Sequence, residues 1–407
     1  MRRIRKTLQV PLGLLIILIC FPQLSETIYT PALPALSDFF SSSPAWAQWT
    51  LTVYFIGFAC GVGFWGHYSE RWGRRKAILQ GLVIYILSCV GCAFSNHFVL
   101  FLFFRIIQGF GISIGSVVVQ SIFREVYRAE KRHEIFSVLN LVIAMSPAVG
   151  PLLGGYLTEW FHWQSTFWLL IALGCVLGSA LYLRLPETNK SVGTPVNLAR
   201  ILFVFQQMAK NPRVIAFAAL VGLFNGVMFS YYSQAPFIFI DLLGLSPGHY
   251  GMLGLAPALG VVAGSLVSKA KGARYGAMSL IGAGAWGALG SMCILNATMF
   301  LGTIYTFPMV GMVIAIVIPM LLFFFSFSLA MPSLLGMALV GYEHSIGIAS
   351  SLFGLAYYNL TAVFNFLMGY LDNGTIVPMP LYFLALSIMM VVVFLLYKNK
   401  QSLTTGG

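Results

Sequence analysis

Two charged residues lie inside long apolar stretches, and their types and positions fit proton transfer. Glu26 is the one acid of eleven, and Arg105 the one basic residue of 23, that lies well inside such a stretch. A charge at the centre of a bilayer costs ~2.5–3.5 kcal/mol on insertion scales, so it usually marks a transport pathway or an ion pair. Burial favours the protonated acid and a nearby arginine favours the carboxylate. Glu26 could therefore gain and lose a proton; a purely structural, hydrogen-bonded pair is the alternative.

The rest of the sequence predicts the helices that would hold this pair. Of the 407 residues, 59% are hydrophobic and 8% are charged, whereas a soluble protein has about 25% charged residues. This composition excludes a soluble enzyme and indicates an all-α membrane protein, because lipid offers no partner for unpaired backbone groups. Twelve predicted transmembrane helices lie at 9–33, 46–66, 77–96, 98–122, 135–158, 164–184, 214–238, 248–268, 276–297, 301–329, 345–369 and 378–397.

Glu26 and Arg105 fall at similar depth in this arrangement. Spans one and four run in opposite directions, and each residue lies roughly 10 Å from the outer end of its span. The interior acid and the interior base are therefore expected to meet within the first six helices. Such a pair would couple a proton gradient to the movement of a solute.

The basic residues predict the orientation of the chain. All of them except Arg105 lie in segments on one side of the twelve spans, which predicts that both termini are cytoplasmic. The net charge of +12 is thus mainly an orientation signal, and no nucleic-acid partner is expected. The longest polar interval divides the chain into a six-helix bundle (1–184), a cytoplasmic linker (185–213) and a second, pseudo-symmetric six-helix bundle (214–407). Histidines and cysteines do not cluster, so we expect no metal and no cofactor.

The segment Gly66–Lys76 between spans two and three carries the strongest local motif. It resembles motif A of the major facilitator superfamily, with matches at Gly66, Arg71, Gly73, Arg74 and Arg75. Glu70 stands where an aspartate is usual, and a carboxylate there can cap a helix N-terminus or pair with an arginine. The resemblance implies a gating role; simple anchoring by positive charge is the alternative. A segment with weaker similarity to this motif, Gly264–Arg274, follows span eight.

Two further segments resemble motifs of the same superfamily. Arg105 and Gln108 in span four belong to a motif B-like sequence. Span five contains a sequence that resembles motif C, the antiporter motif, with Pro147, Gly150, Pro151, Gly154 and Gly155. Small residues there allow close helix approach, and the prolines loosen the helix. Motif C implies export; a merely packed, kinked helix is the alternative.

A segment of span one resembles one group within the superfamily. The stretch Ser25–Pro34 looks like span one of the bicyclomycin/chloramphenicol-resistance (Bcr/CflA) drug-efflux group, with matches at Tyr29, Pro31 and Pro34. The group's aspartate would fall at Thr27, one residue after Glu26, and one residue turns a side chain by about 100° around a helix. The resemblance implies a twelve-helix major facilitator fold, alternating access and proton-driven export of drug-like molecules from a bacterial cytoplasm.

The substrate is expected near the bilayer midplane between the two bundles. Its candidate contacts are Tyr29, Gln108, Asn225, Tyr231, Gln234, Tyr357, Tyr358 and Asn359. Because the interior has one acid, the expected partners are protons and a small lipophilic molecule that is neutral or carries one positive charge. A monomer in the lipid bilayer is expected. An exporter of one specific metabolite, such as a siderophore, amino acid or nucleoside, would share these motifs, and a proton-coupled importer is a third, less favoured interpretation. A membrane enzyme would need more interior chemistry than Glu26 and Arg105 supply.

Overall fold

The computed structural model describes residues 11–126, 149–189 and 198–405. Within these ranges, eleven helical segments are long and apolar enough to cross a membrane, and they match eleven of the twelve predicted spans. They are Leu12–Phe39, Pro44–Trp72, Arg74–Phe94, Phe98–Phe123, Gln164–Arg184, Pro212–Leu242, Pro247–Gly272, Ala277–Gly302, Met309–Ala338, Glu343–Leu371 and Pro378–Gln401. Of the predicted span five, 149–160 are helical and 135–148 lie outside the described residues. We keep the predicted numbering, spans 1 to 12.

Several spans consist of more than one helix. The helices in chain order are α1 Leu12–Thr27, α2 Leu33–Phe39, α3 Pro44–Trp72, α4 Arg74–Phe94, α5 Phe98–Ile112, α6 Ile114–Val126, α7 149–160, α8 Gln164–Arg184, α9 Leu198–Lys210, α10 Pro212–Pro236, α11 Pro247–Leu253, α12 Leu255–Tyr275, α13 Ala277–Tyr305, α14 Met309–Ala338, α15 Ile346–Leu371 and α16 Pro378–Thr405. Short 3₁₀ segments at Thr30–Ala32 and Glu343–Ser345 and a π segment at Phe237–Leu242 complete spans 1, 11 and 7.

Capping residues followed by proline start three of the spans. Ser43, Asn211 and Ser246 each accept a hydrogen bond from a backbone N–H of the first turn. A proline follows each of them at the first helical position, where the missing N–H removes no helical hydrogen bond. These sequences explain why spans 2, 7 and 8 begin where they do.

Several predicted boundaries were wrong by more than four residues, including the start of span 10 and the end of span 1. Span 10 begins at Met309 rather than at 301, because α13 runs on to Tyr305 and the chain turns at Thr306–Pro308. This turn interrupts a continuous apolar run, so hydropathy alone could not locate it. Span 1 extends to Phe39 rather than 33, which moves Glu26 towards the middle of the span.

Span 1 is broken immediately after Glu26. Helix α1 ends at Thr27, and the 3₁₀ turn Thr30–Ala32 joins it to α2. Pro31 and Pro34 lie in the first turns of the two following segments, where proline is tolerated. The break therefore follows from Pro31 and Pro34. Tyr29 lies within this break.

The helices have two ends that we name by their residues. The motif A end holds the junction between spans 2 and 3, together with Glu187, which contacts that junction. The opposite end holds Asp372 at the end of span 11 and Gln48 near the start of span 2. The first and second halves pack along spans 2 and 11, where a Cβ at Gly354 would contact Val62 and Trp49 stacks on Phe366.

The predicted linker, 185–213, contains the helix α9. Val204 and Met208 are buried on one side of α9, whereas Leu202, Phe203 and Phe205 are exposed. Arg200 of the same helix donates to the carbonyl of His344, at the start of span 11. Helix α9 thus ties the linker to the motif A end of the second half.

Candidate functional site

Glu26 lies at the centre of the described structure and is almost completely buried. Its side chain is 1% exposed, and the Oε1 atom has no hydrogen-bond partner in the described part of the chain. The Arg105 charge acts on the carboxyl from span 4. The carboxyl in turn acts on Tyr54 of span 2 and on Tyr357 and Tyr358 of span 11. Ring contacts link the same region to the second half, because Tyr54 packs on Phe58, whose ring lies 4.6 Å from that of Tyr358.

Arg105 is fully buried and held mainly by aromatic rings. Its guanidinium carbon lies 4.0 Å from the centroid of the Tyr29 ring and 4.6 Å from that of Tyr54. Nε donates to the Thr50 carbonyl at 3.4 Å, Nη1 donates to Gln108 Oε1, and Nη2 has no partner among the described residues. Two ring faces stabilise a desolvated cation substantially.

Glu26 and Arg105 share one cluster but do not form a salt bridge. Within the described ranges, no carboxylate oxygen lies within 4.0 Å of an Arg105 nitrogen. The predicted meeting of the two residues is thus a shared electrostatic environment rather than a contact. The guanidinium is held instead by the tyrosine rings of spans 1 and 2 and by its bonds to Thr50 and Gln108.

Two of the expected substrate contacts belong to this buried cluster. Tyr29 Oη lies 3.2 Å from Thr50 Oγ1. Gln108 accepts from Arg105 and donates to Cys89 Sγ at 3.0 Å. Both residues are completely buried, so in this conformation they hold the arginine.

A cleft between the two halves extends as far as Tyr357 of span 11. It has a volume of about 480 Å³, lies between spans 4, 10 and 11 at the motif A end, and has Tyr357 in its wall. Tyr357 and Tyr358 are half-buried, with ring centroids 4.4 Å apart. The lining residues are Gln120, Leu335, Gly336, Leu339, Val340, Glu343, Ile346, Ser350, Phe353 and Tyr357.

The four remaining substrate candidates lie elsewhere. Tyr231 is buried in the second half against Tyr232 and Phe324, and Asn225 is half-buried on the same helix. Asn359 is exposed and donates to the Leu355 carbonyl of its own helix. Gln234 belongs to a polar network at the opposite end. The expected eight residues therefore do not form one site.

The polar network at the opposite end joins the two halves, and its assembly was not predicted. Gln48 Nε2 of span 2 donates to Asp372 Oδ2 of span 11 at 2.8 Å and to Gln234 Oε1. Gln234 Nε2 donates to Asp372 Oδ1 at 3.2 Å. Asn365 Nδ2 donates to Thr52 Oγ1 at 2.9 Å, again across the halves. We call Gln48, Gln234, Asn365 and Asp372 the opposite-end latch.

Glu159 makes a second link between the halves at the same end. Its Oε2 accepts from the Ser246 hydroxyl at 2.9 Å and from the backbone N–H of Gly248 at 2.7 Å. The carboxylate thus caps the first turn of α11. By sequence, Glu159 was one of the acids near span ends and carried no predicted role.

At the motif A end, the residues of motif A are arranged around Glu187. The Glu187 carboxylate accepts from the backbone N–H of Arg74 at 2.8 Å and of Arg75 at 3.1 Å, so it caps the start of α4. Gly73 has φ +100°, and a Cβ there would collide with Glu187 Oε2. Arg74 Nη1 also donates to Ser69 Oγ at 2.5 Å.

The other motif A residues face the second half or the surface. A Cβ at Gly66 would lie 2.8 Å from Ser351 Oγ of span 11. Glu70 Oε1 lies 3.4 Å from the Cβ position of Gly347, in the first turn of α15, where a helix favours negative charge. Arg71 lies over the exposed ring of Trp72 at 5.4 Å. Gly66 and Glu70 of motif A therefore adjoin the second half.

The glycines of motif C bring span 5 directly onto span 1. A Cβ at Gly150 would collide with Oγ1 of the Thr27 side chain, and one at Gly154 would collide with the Ile28 carbonyl. These contacts adjoin Glu26 in the sequence. Gly155 faces span 8 instead, and the Cβ position of Gly251 there lies 2.5 Å from the Pro151 carbonyl. Pro147 lies outside the described residues.

Comparison with known proteins identifies relatives over most of the chain. Residues 15–338 match the Major Facilitator Superfamily. The chain is 31% identical over 403 residues to an uncharacterized transporter of Rickettsia bellii, covering 96% of this chain and 98% of the relative. It is 26% identical over 367 residues to a chloramphenicol resistance protein of Pseudomonas aeruginosa, covering 89% of this chain and 85% of the relative.

A solved structure shows the same fold. The xylose transporter XylE from E. coli, in a partially occluded inward open conformation, has a TM-score of 0.73 at 14% identity, covering 95% of this chain and 97% of that chain. This likeness confirms the predicted fold and concerns the fold alone. The family match and the eleven apolar helices of the described ranges establish that the chain is a multi-pass membrane transporter, not an enzyme, and belongs to the major facilitator superfamily.

Proposed function

We propose that the protein exports lipophilic molecules of low charge across the bacterial cytoplasmic membrane in exchange for protons. The observation that carries the proposal is the position of Glu26. This buried carboxyl, unpartnered at Oε1 among the described residues, is close enough to Tyr357 and Tyr358 for its charge to act on them, and Tyr357 lines the cleft between the halves. A substrate in the cleft and a proton on Glu26 would therefore influence each other.

The proposed direction of transport is export, and the proposed orientation describes how it would occur. If the basic segments are cytoplasmic, the motif A end and its cleft face the cytoplasm. The substrate would enter there while the opposite-end latch is closed. Its binding would favour release of the Glu26 proton to the cytoplasm, and the halves would then rock to open the other end. A proton from outside would reset the site. The antiporter-like motif C and the chloramphenicol resistance relative support this direction.

The lining of the cleft supports the substrate class. Most of its side chains are aliphatic or aromatic, such as Leu335, Val340 and Phe353. Its polar groups include Gln120, Ser350 and Glu343, an exposed acid at the rim that accepts from the Gly341 N–H. Its volume of about 480 Å³ suits a drug-sized ligand. One buried acid can offset one positive charge, so we propose a neutral or monocationic substrate, transported by a monomer.

Substrate-induced proton release from the purified protein tests the proposal. The protein would be held in a weakly buffered solution, and a pH dye would report released protons. The compounds added would be lipophilic neutral, monocationic and dicationic molecules, amino acids and nucleosides. We expect neutral and monocationic compounds to release protons from the wild type. Glu26→Gln should release none, and Arg105→Ala should release fewer.

Asp241→Asn is the matched control, because Asp241 is an exposed acid at the opposite end. It should release protons like the wild type. Release by Glu26→Gln equal to that of the wild type would rule out Glu26 as the coupling residue. Release by a single metabolite alone would favour a specific exporter instead.

A further inference from the structure

Tyr54 belongs to the buried cluster that contains the two charged residues. Its side chain is fully buried in span 2, and its ring lies 4.6 Å from the Arg105 guanidinium carbon. The Glu26 carboxyl acts electrostatically on the Tyr54 hydroxyl, and Ser25 lies beside it. Tyr54 therefore contacts the arginine with its ring while its hydroxyl lies in the field of the acid.

Three polar atoms of this cluster, Tyr54 Oη, Glu26 Oε1 and Arg105 Nη2, lack hydrogen bonds among the described residues. In the described part of the chain, neither Tyr54 Oη nor Glu26 Oε1 has a hydrogen-bond partner, although both atoms are buried. A buried hydroxyl without a partner is costly, and so is a buried carboxylate. By contrast, the neighbouring Tyr85 hydroxyl is satisfied, because it donates to Ser25 Oγ at 2.9 Å. A bond from Tyr54 to Glu26 would satisfy both atoms at once.

The groups that face Glu26 leave Tyr54 as the suitable donor. Arg105 of span 4 lies against two tyrosine rings and donates to Thr50 and Gln108. Its remaining nitrogen, Nη2, lies more than 4.0 Å from any carboxylate oxygen of the described ranges. Tyr357 and Tyr358 of span 11 belong to the other half, so their distance from Glu26 changes whenever the halves rock. Tyr54 belongs to the same half as Glu26 and moves with it.

We propose that Tyr54 is a positioning residue that donates a hydrogen bond to the deprotonated Glu26 carboxylate. The bond would form when Glu26 releases its proton and would stabilise the charge until the next proton arrives. The Tyr54 ring would meanwhile keep Arg105 in place. This inference rests on the proposed proton step at Glu26, and it adds a residue that sets the pH at which that step occurs.

An infrared pH titration of the purified protein tests the role of Tyr54. The carboxyl stretching band of Glu26 is identified by its loss in Glu26→Gln. Tyr54→Phe removes the hydroxyl and keeps the ring over Arg105. Without a donor to the charged form, Glu26 should keep its proton to higher pH, so the midpoint should rise by about one to two pH units.

The matched control is Tyr232→Phe, which removes a buried tyrosine hydroxyl from the second half and should leave the midpoint in place. Melting temperatures verify that both variants are folded. An unchanged midpoint in Tyr54→Phe, with a clear Glu26 band, would overturn the role of Tyr54 alone. If no carboxyl band disappears in Glu26→Gln, Glu26 does not titrate, and the proposed proton step fails together with this inference.

Discussion

At the scale of single residues, Arg105 of span 4 contacts two aromatic rings and does not contact its predicted acidic partner, Glu26. The scarcity of charge was enough to single out Glu26 and Arg105, and both are buried at the centre. The sequence could not single out Tyr54, because aromatic residues make up 15% of the chain and most of them pack against lipid or other helices. The direct Glu26–Arg105 contact that depth suggested is replaced by two tyrosine faces.

Arg105→Lys should therefore be far from conservative. A lysine ammonium cannot present a flat surface to two rings, and it cannot reach both Thr50 and Gln108 in a fixed geometry. We expect a loss of about 1–3 kcal/mol in stability and at least a tenfold loss of transport, measured by thermal melting and by vesicle assays. Arg274→Lys is the control, since Arg274 is exposed over Tyr275. Equal behaviour of the two variants would refute the ring-held arginine.

At the scale of helices, glycines set how closely spans approach each other around Glu26. Motif C was predicted to allow close helix packing, and its glycines do place α7 against the break in span 1. Which helix it would meet was not predictable, because the contact partner lies more than a hundred residues away in the chain. The capping of α4 by Glu187 was also not predictable, because Glu187 follows span 6 and is more than a hundred residues from the start of α4 in the chain.

Gly150→Ala should disturb this packing. A Cβ there would collide with Thr27 Oγ1 and would lie 2.9 Å from Thr27 Cβ and 3.0 Å from the Ile28 nitrogen, so spans 1 and 5 must separate, at a cost of about 1–3 kcal/mol. We expect a lower melting temperature and reduced transport. Gly63→Ala is the control, since nothing lies within 4 Å of its Cβ position, and it should be neutral or stabilising by about 0.5–1 kcal/mol. Similar melting temperatures for the two variants would show that span 5 does not pack closely here.

At the scale of the whole molecule, the two ends differ in how the halves are joined. Side-chain hydrogen bonds of Gln48, Asn365 and Glu159 cross between the halves at the opposite end. At the motif A end, the described contacts between spans 2 and 11 are close packing at Gly66 and Glu70, beside an open cleft. This arrangement fits a conformation that is closed at one end and accessible from the other.

Asp372→Asn should weaken the closed end. The aspartate accepts hydrogen bonds on both oxygens, from Gln48 and Gln234, whereas an asparagine has one acceptor and directs an NH₂ group at the other donor. We expect several-fold faster deuterium uptake in peptides covering 44–52 and 365–372. Asp241→Asn, at the same end, is the control and should exchange like the wild type. Unchanged uptake in Asp372→Asn would mean that this latch does not hold the halves together.

Much of the fold was predictable from composition, whereas much of the site was not. Hydropathy and charge placement located eleven described spans, because lipid requires long apolar helices. The boundary of span 10 was missed because Thr306–Pro308 turns within an apolar run. The opposite-end latch was missed for a different reason. Gln48 is uncharged, Asp372 resembled a loop acid, and their pairing depends on how two halves dock.

Uphill transport in everted membrane vesicles tests the central claim most directly. An inside-acid gradient would be imposed, and uptake of a fluorescent lipophilic monocation would be followed for the wild type and Glu26→Gln at equal expression. The account predicts accumulation by the wild type that collapses with the pH gradient, and none by Glu26→Gln. Undiminished uphill accumulation by Glu26→Gln would contradict it.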